Sequence, residues 1–326
     1  MAGAKIGFDI GSNALKIAVV SGSSIVTQEA RLPENLVADD GSIKLPHAFS
    51  EFLRTTRKEL SIPRGTVILS LPPSRSICRF VTMPEMPRDQ IAINLPYEFA
   101  DYVQGAPDDY VCDYAICARM EGDSNDEIPM MAAALSRKVS VEYVQIFADA
   151  GLKLKAIIPP EISLINLVRD ASKAEKEFFF IDFGQQATRI TVVCKDRIYA
   201  SRQIPIGGKD IDEAIASTVG VESYLANTYK RNNYQDIQAD TVVTSLCDRI
   251  AVEVLKVINF YQFSNRGSAM DCVYMLGGGS LLPYMEESLG KAIEMGTLHV
   301  LDILPSAGGL SDVCGFALGA AMGGAY

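Results

Sequence analysis

Tryptophan is absent from this chain of 326 residues, and histidine occurs only twice, at His47 and His299. Two histidines in unrelated stretches leave little on which to build a histidine-based metal centre or a Ser-His-Asp hydrolase, and both read as surface or packing residues. No apolar run approaches the roughly 20 residues that a membrane-crossing helix needs. Low-complexity tracts are also missing. The seven cysteines (Cys78, Cys112, Cys117, Cys194, Cys247, Cys272 and Cys314) include no CxxC pair. Most lie in apolar strand-like runs, where a reduced thiol packs as a small hydrophobe. An excess of positive charge is lacking too: the formal charge is -10, and the basic residues are scattered. Nucleic acid is therefore excluded as a natural partner. The opening MAGAKIGFDIG has no charged region, apolar core and small-residue cleavage site in series, so a cytoplasmic location is expected.

What is present fits a two-domain α/β protein. The length suits two cores of ordinary size, with a cleft expected between two lobes. KIGFDIG, LKIAVVSG and SIVTQEARL read as three strands of an antiparallel meander, with turns at Gly11 to Asn13 and Gly22 to Ser24. PHAFSEFLRTTRKEL has helical apolar spacing and leads into the buried strand TVILSLPP. From about 74 to 158 the order is β-α-β-β-α-β, which predicts a split βαβ subdomain inserted into the first lobe. Within it, EGDSNDE has the composition of a solvated hairpin turn. The expected division is a first lobe over 1–73 with a return segment at 159–176, the insertion at 74–158, and a second lobe over 177–326. The second lobe carries a helical subdomain at about 206–270.

The opening pattern returns about 170 residues later in FFFIDFGQQATRITVVCKDRIYASRQIPIGG. Asp182 aligns with Asp9, Gly184 with Gly11, TRITVV with LKIAVV, and a third strand follows each. Such a repeat argues for two related halves. A turn of glycine and small polar residues lets backbone N–H groups and hydroxyls converge on an anion. A neighbouring carboxylate makes sense if a divalent cation lies between it and that anion. Two such turns would clamp a polyphosphate, with Asp9 and Asp182 directed at Mg2+ or its waters and Ser12, Asn13 and Lys16 near the phosphates. In CVYMLGGGSLLPYMEESL, a strand runs into Gly277, Gly278, Gly279 and Ser280 and then a helix, which permits close backbone approach to a ligand.

Taken together, DIGSNALK, IDFGQQATRITV, IPIGGKDIDEAI and YMLGGGSLLPYMEESL resemble the phosphate 1, phosphate 2, ribose-side and adenosine motifs of the actin, heat-shock chaperone and sugar kinase superfamily. Within it, RLPENLVADDGSI, MPEMPRDQIAINLPYEFADYV, AAALSRKVSVEYVQIFADAGLKLKAI and RQIPIGGKDIDEAIA are similar to the PilM family of type IV pilus biogenesis, a relative of FtsA. The resemblance implies an α/β, actin-like (ribonuclease H-like) two-lobed ATPase fold with a small inserted subdomain. It implies ATP and Mg2+ as ligands, with Gly207 and Gly208 also at the nucleotide. ANTYKRNN is similar to the helix that approaches adenosine: Lys230 matches its lysine, whereas Asn227 stands where that motif has glutamate. At most slow hydrolysis is implied, with Asp182 orienting water through Mg2+.

The same resemblance implies an adaptor held at the inner face of the cytoplasmic membrane by the cytoplasmic amino-terminal peptide of a PilN-like bitopic protein. Other platform proteins are further implied partners, and a homo-oligomer or ring stays open. The closing GFALGAAMGGAY is similar to the family's last helix and lacks the amphipathic membrane tail of FtsA. Two other readings compete. DIGSN is close to the opening of exopolyphosphatases, but IDFGQQATRI lacks the acidic second motif of that family. A filament-forming protein like FtsA is the other; a sugar kinase would need a substrate aspartate in the first lobe, and none stands out.

Overall fold

A computed structural model describes residues 3–120, 122–169, 177–265, 270, 272–304 and 310–323. Among these, the chain forms strands β1 (Ala4–Ile10), β2 (Ala14–Ser21), β3 (Ser24–Arg31), β4 (Gly65–Ser70), β5 (Ile77–Pro84), β6 (Tyr110–Ile116), β7 (Glu127–Ser136), β8 (Leu154–Ile158), β9 (Glu177–Phe183), β10 (Thr188–Cys194), β11 (Arg197–Ile204), β12 (Cys272–Leu276) and β13 (Gly296–His299). The helices are α1 (Pro46–Glu59), α2 (Arg88–Asn94), α3 (Arg137–Asp149), α4 (Pro160–Val168), α5 (Gly208–Val219), α6 (Ser223–Asn232), α7 (Thr241–Ser264), α8 (Pro283–Ile293) and α9 (Gly315–Met322). They fall into two compact units: 1–174 with 194–199 and 309–326, and 175–193 with 200–308.

The first unit is built on a five-stranded sheet in the order β3-β2-β1-β4-β8. Its meander is antiparallel, with Phe8 opposite Ile17 and Asp9 opposite Lys16, while β4 lies parallel to β1. Strand β4 carries the apolar run Val67, Ile68 and Leu69 because both of its faces are covered, whereas β1 alternates, with Ile6, Phe8 and Ile10 on one face and Lys5, Gly7 and Asp9 on the other. One face packs on α1 and α3 through Phe8, Leu15, Phe49, Leu53, Tyr143 and Phe147, with Phe8 and Phe147 meeting edge to face at 5.4 Å. The closing helix α9 covers the other. Its small residues let backbones touch: a Cβ placed on Gly7 of β1 would lie 1.8 Å from Ala317 O. This corrects the assignment of 177–326 to the second lobe, because an all-apolar helix needs a surface on every side and β1 and α4 supply it in the first unit.

The insertion is smaller than the sequence pattern predicts. It comprises the three-stranded sheet β5-β7-β6, helix α2 and a 3-10 turn at Leu95–Phe99, where Pro96 stops the regular helix. Val81, Met83, Ile91, Leu95, Phe99 and Met130 form its own core. The expected last helix and strand of the split βαβ unit lie elsewhere. Helix α3 buries Tyr143, Ile146 and Phe147 in the core of the main sheet, and β8 pairs in parallel with β4. A strand joins the edge that its apolar face can cover, and adjacency in sequence does not decide which edge that is.

The second unit repeats the plan with a sheet in the order β11-β10-β9-β12-β13, the counterpart of the first position by position. Phe179, Ile181, Ile190, Val192, Ile211, Ile215, Val254 and Ile258 belong to one core beneath α5 and α7. Asp240 caps α7 by accepting from Val242 N at 2.9 Å, and Gly220, at φ 74°, ends α5 in the left-handed conformation. The tip of the β10-β11 hairpin, at 194–199, is counted with the first unit. There Ala118 N donates to Asp196 Oδ2 at 2.8 Å. The Arg197 guanidinium pairs with Asp123, donates to Ala118 O and lies 4.7 Å from the centre of the Phe80 ring. The polar loop around Asp123 is therefore not simply a solvated turn, because a nearly buried guanidinium recruits its carboxylate.

Candidate functional site

In the first unit the β1-β2 turn brings Asp9, Gly11, Ser12, Asn13 and Lys16 together. Gly11 N donates to Ala14 O at 3.0 Å, which tightens the turn, and Leu32 N donates to Asn13 O at 2.9 Å, which anchors it to the end of β3. Asp9 is buried and faces Lys16 across the strand pair, with Lys16 Nζ 3.1 Å from Asp9 Oδ2. A Cβ on Gly11 would lie 3.7 Å from Lys16 Nζ, so the ammonium arches over the turn. The turn thus places one cation and one carboxylate beside the half-buried residues Gly11, Ser12 and Asn13. Cys314, which donates from Sγ to Gln28 O, lies near this pair; burial pushes its thiol up to about 12 and keeps it a neutral packing group.

In the second unit, Asp182 stands on β9 where Asp9 stands on β1, and it is paired in register with Leu276 of β12. The turn after β12 wraps closely around it. Gly277 has φ 87°, and a Cβ there would lie 2.5 Å from Asp182 Oδ1; one on Gly279 would lie 2.7 Å from Phe183 Cβ. Gly278 faces open space, and Ser280 is buried with its hydroxyl donating to Gly277 O at 2.7 Å. The corresponding turn of the first unit, after β4, carries Pro72 and Pro73 instead. Only the second unit offers a glycine cradle there, since glycine alone reaches such backbone angles and approaches without strain.

Gly207 and Gly208 lie against the turn after β9. Gly208 N donates to Gly184 O at 3.0 Å, Lys209 N to Gln185 O at 2.8 Å, and Gly207 N to Asp210 Oδ2 at 2.7 Å. Thr188 Oγ1 donates to Ile206 O at 2.9 Å and pins the other end of the turn. Asn227 and Lys230 share the buried face of α6 with Ala226. Both point at Asp212 of α5, which is 2% exposed: Asn227 Nδ2 donates to its Oδ2 at 3.0 Å, and Lys230 Nζ lies 2.7 Å from its Oδ1. The directed hydrogen bond of Lys230 goes to Gly208 O at 3.0 Å, so its contact with Asp212 is chiefly electrostatic.

The expected residues therefore form two groups, one in each unit. Each group by itself has features that suit a phosphate: the Lys16 ammonium over the turn in the first unit, and the glycine turn beside Asp182 in the second. Among the described residues no three carboxylate, histidine or cysteine side chains gather to hold a metal. Mg2+ at Asp9 or Asp182 would draw its remaining oxygens from phosphate and water. Sequence reasoning missed Gln185 and Asp212. Gln185 Nε2 donates to Asp212 Oδ2 at 2.7 Å. The signal for Asp212 was an acid between Ile211 and Ile215 on the inward face of α5, where an unpaired charge would be prohibitive.

The PilM–PilN type IV pilus biogenesis complex gives a TM-score of 0.80 at 20% identity, over 98% of this chain and 97% of that one. The ethanolamine utilization protein EutJ from Carboxydothermus hydrogenoformans gives 0.63 at 15% identity, over 98% and 90%. MreB5 of Spiroplasma citri bound to ADP gives 0.54 at 13% identity, over 97% and 95%. Comparison with the curated proteins finds no match. The fold is that of the actin-like ATPases. The family model described as type IV pilus assembly protein PilM matches residues 7–304, and the chain belongs to that family.

Proposed function

We propose that the protein is a nucleotide-binding adaptor of the type IV pilus assembly platform, which binds the cytoplasmic amino-terminal segment of a PilN-like bitopic membrane protein. The observation that carries this reading is membership of the PilM family together with a fold likeness to the PilM–PilN complex over nearly the whole of both chains. Among the described residues no helix is long and apolar enough to cross a membrane, so attachment at the inner face of the membrane would run through the partner. Other platform proteins and copies of this chain are further candidates for assembly.

ATP with Mg2+ is the proposed ligand; the residues proposed to contact it are Asp9, Gly11, Ser12, Asn13 and Lys16 of the first unit and Asp182, Gly184, Gly207, Gly208, Asn227, Lys230 and the 277–280 turn of the second. Nucleotide on MreB5 of the same fold supports this choice. The nucleotide acts as a conformational ligand with at most slow turnover, Asp182 orienting water. Its binding is tested by calorimetry of Mg-ATP with wild type, Asp9→Ala and Asp182→Ala. Each substitution should weaken binding about tenfold or more while leaving the circular dichroism unchanged. Equal affinity in all three proteins would put the nucleotide elsewhere.

A further inference from the structure

The second unit contains a buried polar network centred on Asp212 of α5. Asp212 Oδ2 accepts from both Gln185 Nε2 and Asn227 Nδ2, while Oδ1 faces Lys230 Nζ. Gln185 belongs to the turn after β9 and Asp212 to α5, so this one amide ties the phosphate-side turn to the ribose-side helices. Its other atom is equally placed, because a Cβ on Gly208 would lie 2.5 Å from Gln185 Oε1. The glutamine side chain thus rests on the first residue of α5. The N–H groups of Gly207, Gly208 and Lys209 already have acceptors within the protein, and the acceptor of the first is the Asp210 carboxylate. A helix start that ordinarily attracts an anion is satisfied internally here.

We propose that Gln185 and Asp212 form an internal latch over the nucleoside end of the site, so that nucleotide binding requires Lys230 and Asn227 to pass from Asp212 to the ligand. The proposal rests on the nucleotide reading above. A hydrogen bond to a buried carboxylate opposes opening by roughly ten- to hundredfold, and apparent affinity falls by the fraction of molecules that are open. Asp212 also neutralises the Lys230 ammonium, so the pair offers the nucleotide no net positive charge while the latch is closed. Asn227 suits this arrangement: an amide donates to Asp212, whereas a glutamate at 227 would meet it as a like charge.

The test is calorimetry of Mg-ATP with the full chain as wild type, Gln185→Ala, Asp212→Asn and Asp9→Ala, together with hydrogen exchange of the ligand-free proteins over 208–215. Gln185→Ala should bind about tenfold more tightly than wild type and exchange faster over α5 without nucleotide. Should Gln185→Ala fail to fold, Asp212→Asn carries the same expectation for affinity. If wild type binds, Asp9→Ala does not, and the latch variants bind equally or more weakly, the latch is refuted and the nucleotide reading stands. If neither wild type nor the latch variants bind at about millimolar ATP, the nucleotide reading fails and the latch falls with it.

Discussion

Asp212→Ala should destabilise the second unit by about 3–5 kcal/mol, the range for removing one member of a buried ion pair. The carboxylate is 2% exposed and has Gln185, Asn227 and Lys230 around it. Its removal leaves the Lys230 ammonium, itself buried, with the carbonyl of Gly208 as its remaining acceptor in the network. It also strips the two amides of the oxygen they share. Each unsatisfied group alone costs about 1–3 kcal/mol, and the effects overlap because one relaxation serves all three. Urea unfolding followed by far-ultraviolet circular dichroism measures the loss, since the chain has no tryptophan to report it. Two units need not unfold together, so the transition belonging to α5 and α6 is assigned by hydrogen exchange. Asp212→Leu combined with Lys230→Met should recover at least half of the loss, because it removes both charges. A loss below about 1 kcal/mol for Asp212→Ala, or a double variant as unstable as the single one, would refute the claim that an ion pair organises this region.

Three other predictions concern the first unit and the buried thiols. Gly7→Ala should cost at least the 1–3 kcal/mol typical of overpacking, since the new methyl would collide with the backbone of α9; a fall in thermal midpoint checks it. The Arg197 guanidinium holds the Asp123 carboxyl at about 2, below its ordinary 3.8. That contribution is complete above about pH 4 and lost as pH falls through about 2, so protection of the 194–199 tip in Arg197→Ala should converge with wild type only at the acid end. Burial pushes Cys117, Cys247 and Cys314 up to about 12, whereas Cys112 is raised less and is partly exposed. Native labelling at pH 8 should therefore modify Cys112 far faster than these three, and equal rates detected by peptide mapping would contradict the described packing.

The three-strand openings of both halves were legible because short apolar runs bounded by turn residues mark hairpins locally, and the interval between Asp9 and Asp182 exposed the repeat. The extent of the insertion was not legible. AAALSRKVSVEYVQIFADAGLKLKAI shows a strand, a helix and a strand, but nothing local says that α3 packs on Phe8 or that β8 pairs with β4. The placement of α9 in the first unit was hidden for the same reason: small residues announce close packing without naming the surface. At the site, the resemblance of ANTYKRNN to the family's adenosine helix singled out Asn227 and Lys230, which lie on the buried face of α6. Their partner Asp212 lies one helix away, and the reach of Gln185 across the turn depends on a rotamer. Both are tertiary contacts, which no periodicity records.

The central claim is that a nucleotide-binding chain of this fold captures a PilN-like segment. Its most direct test is fluorescence anisotropy of a labelled peptide from the cytoplasmic amino terminus of the PilN-like protein, titrated with the full chain with and without Mg-ATP. The account predicts saturable binding whose affinity changes with Mg-ATP, the change vanishing in Asp182→Ala. No binding in either condition would contradict it.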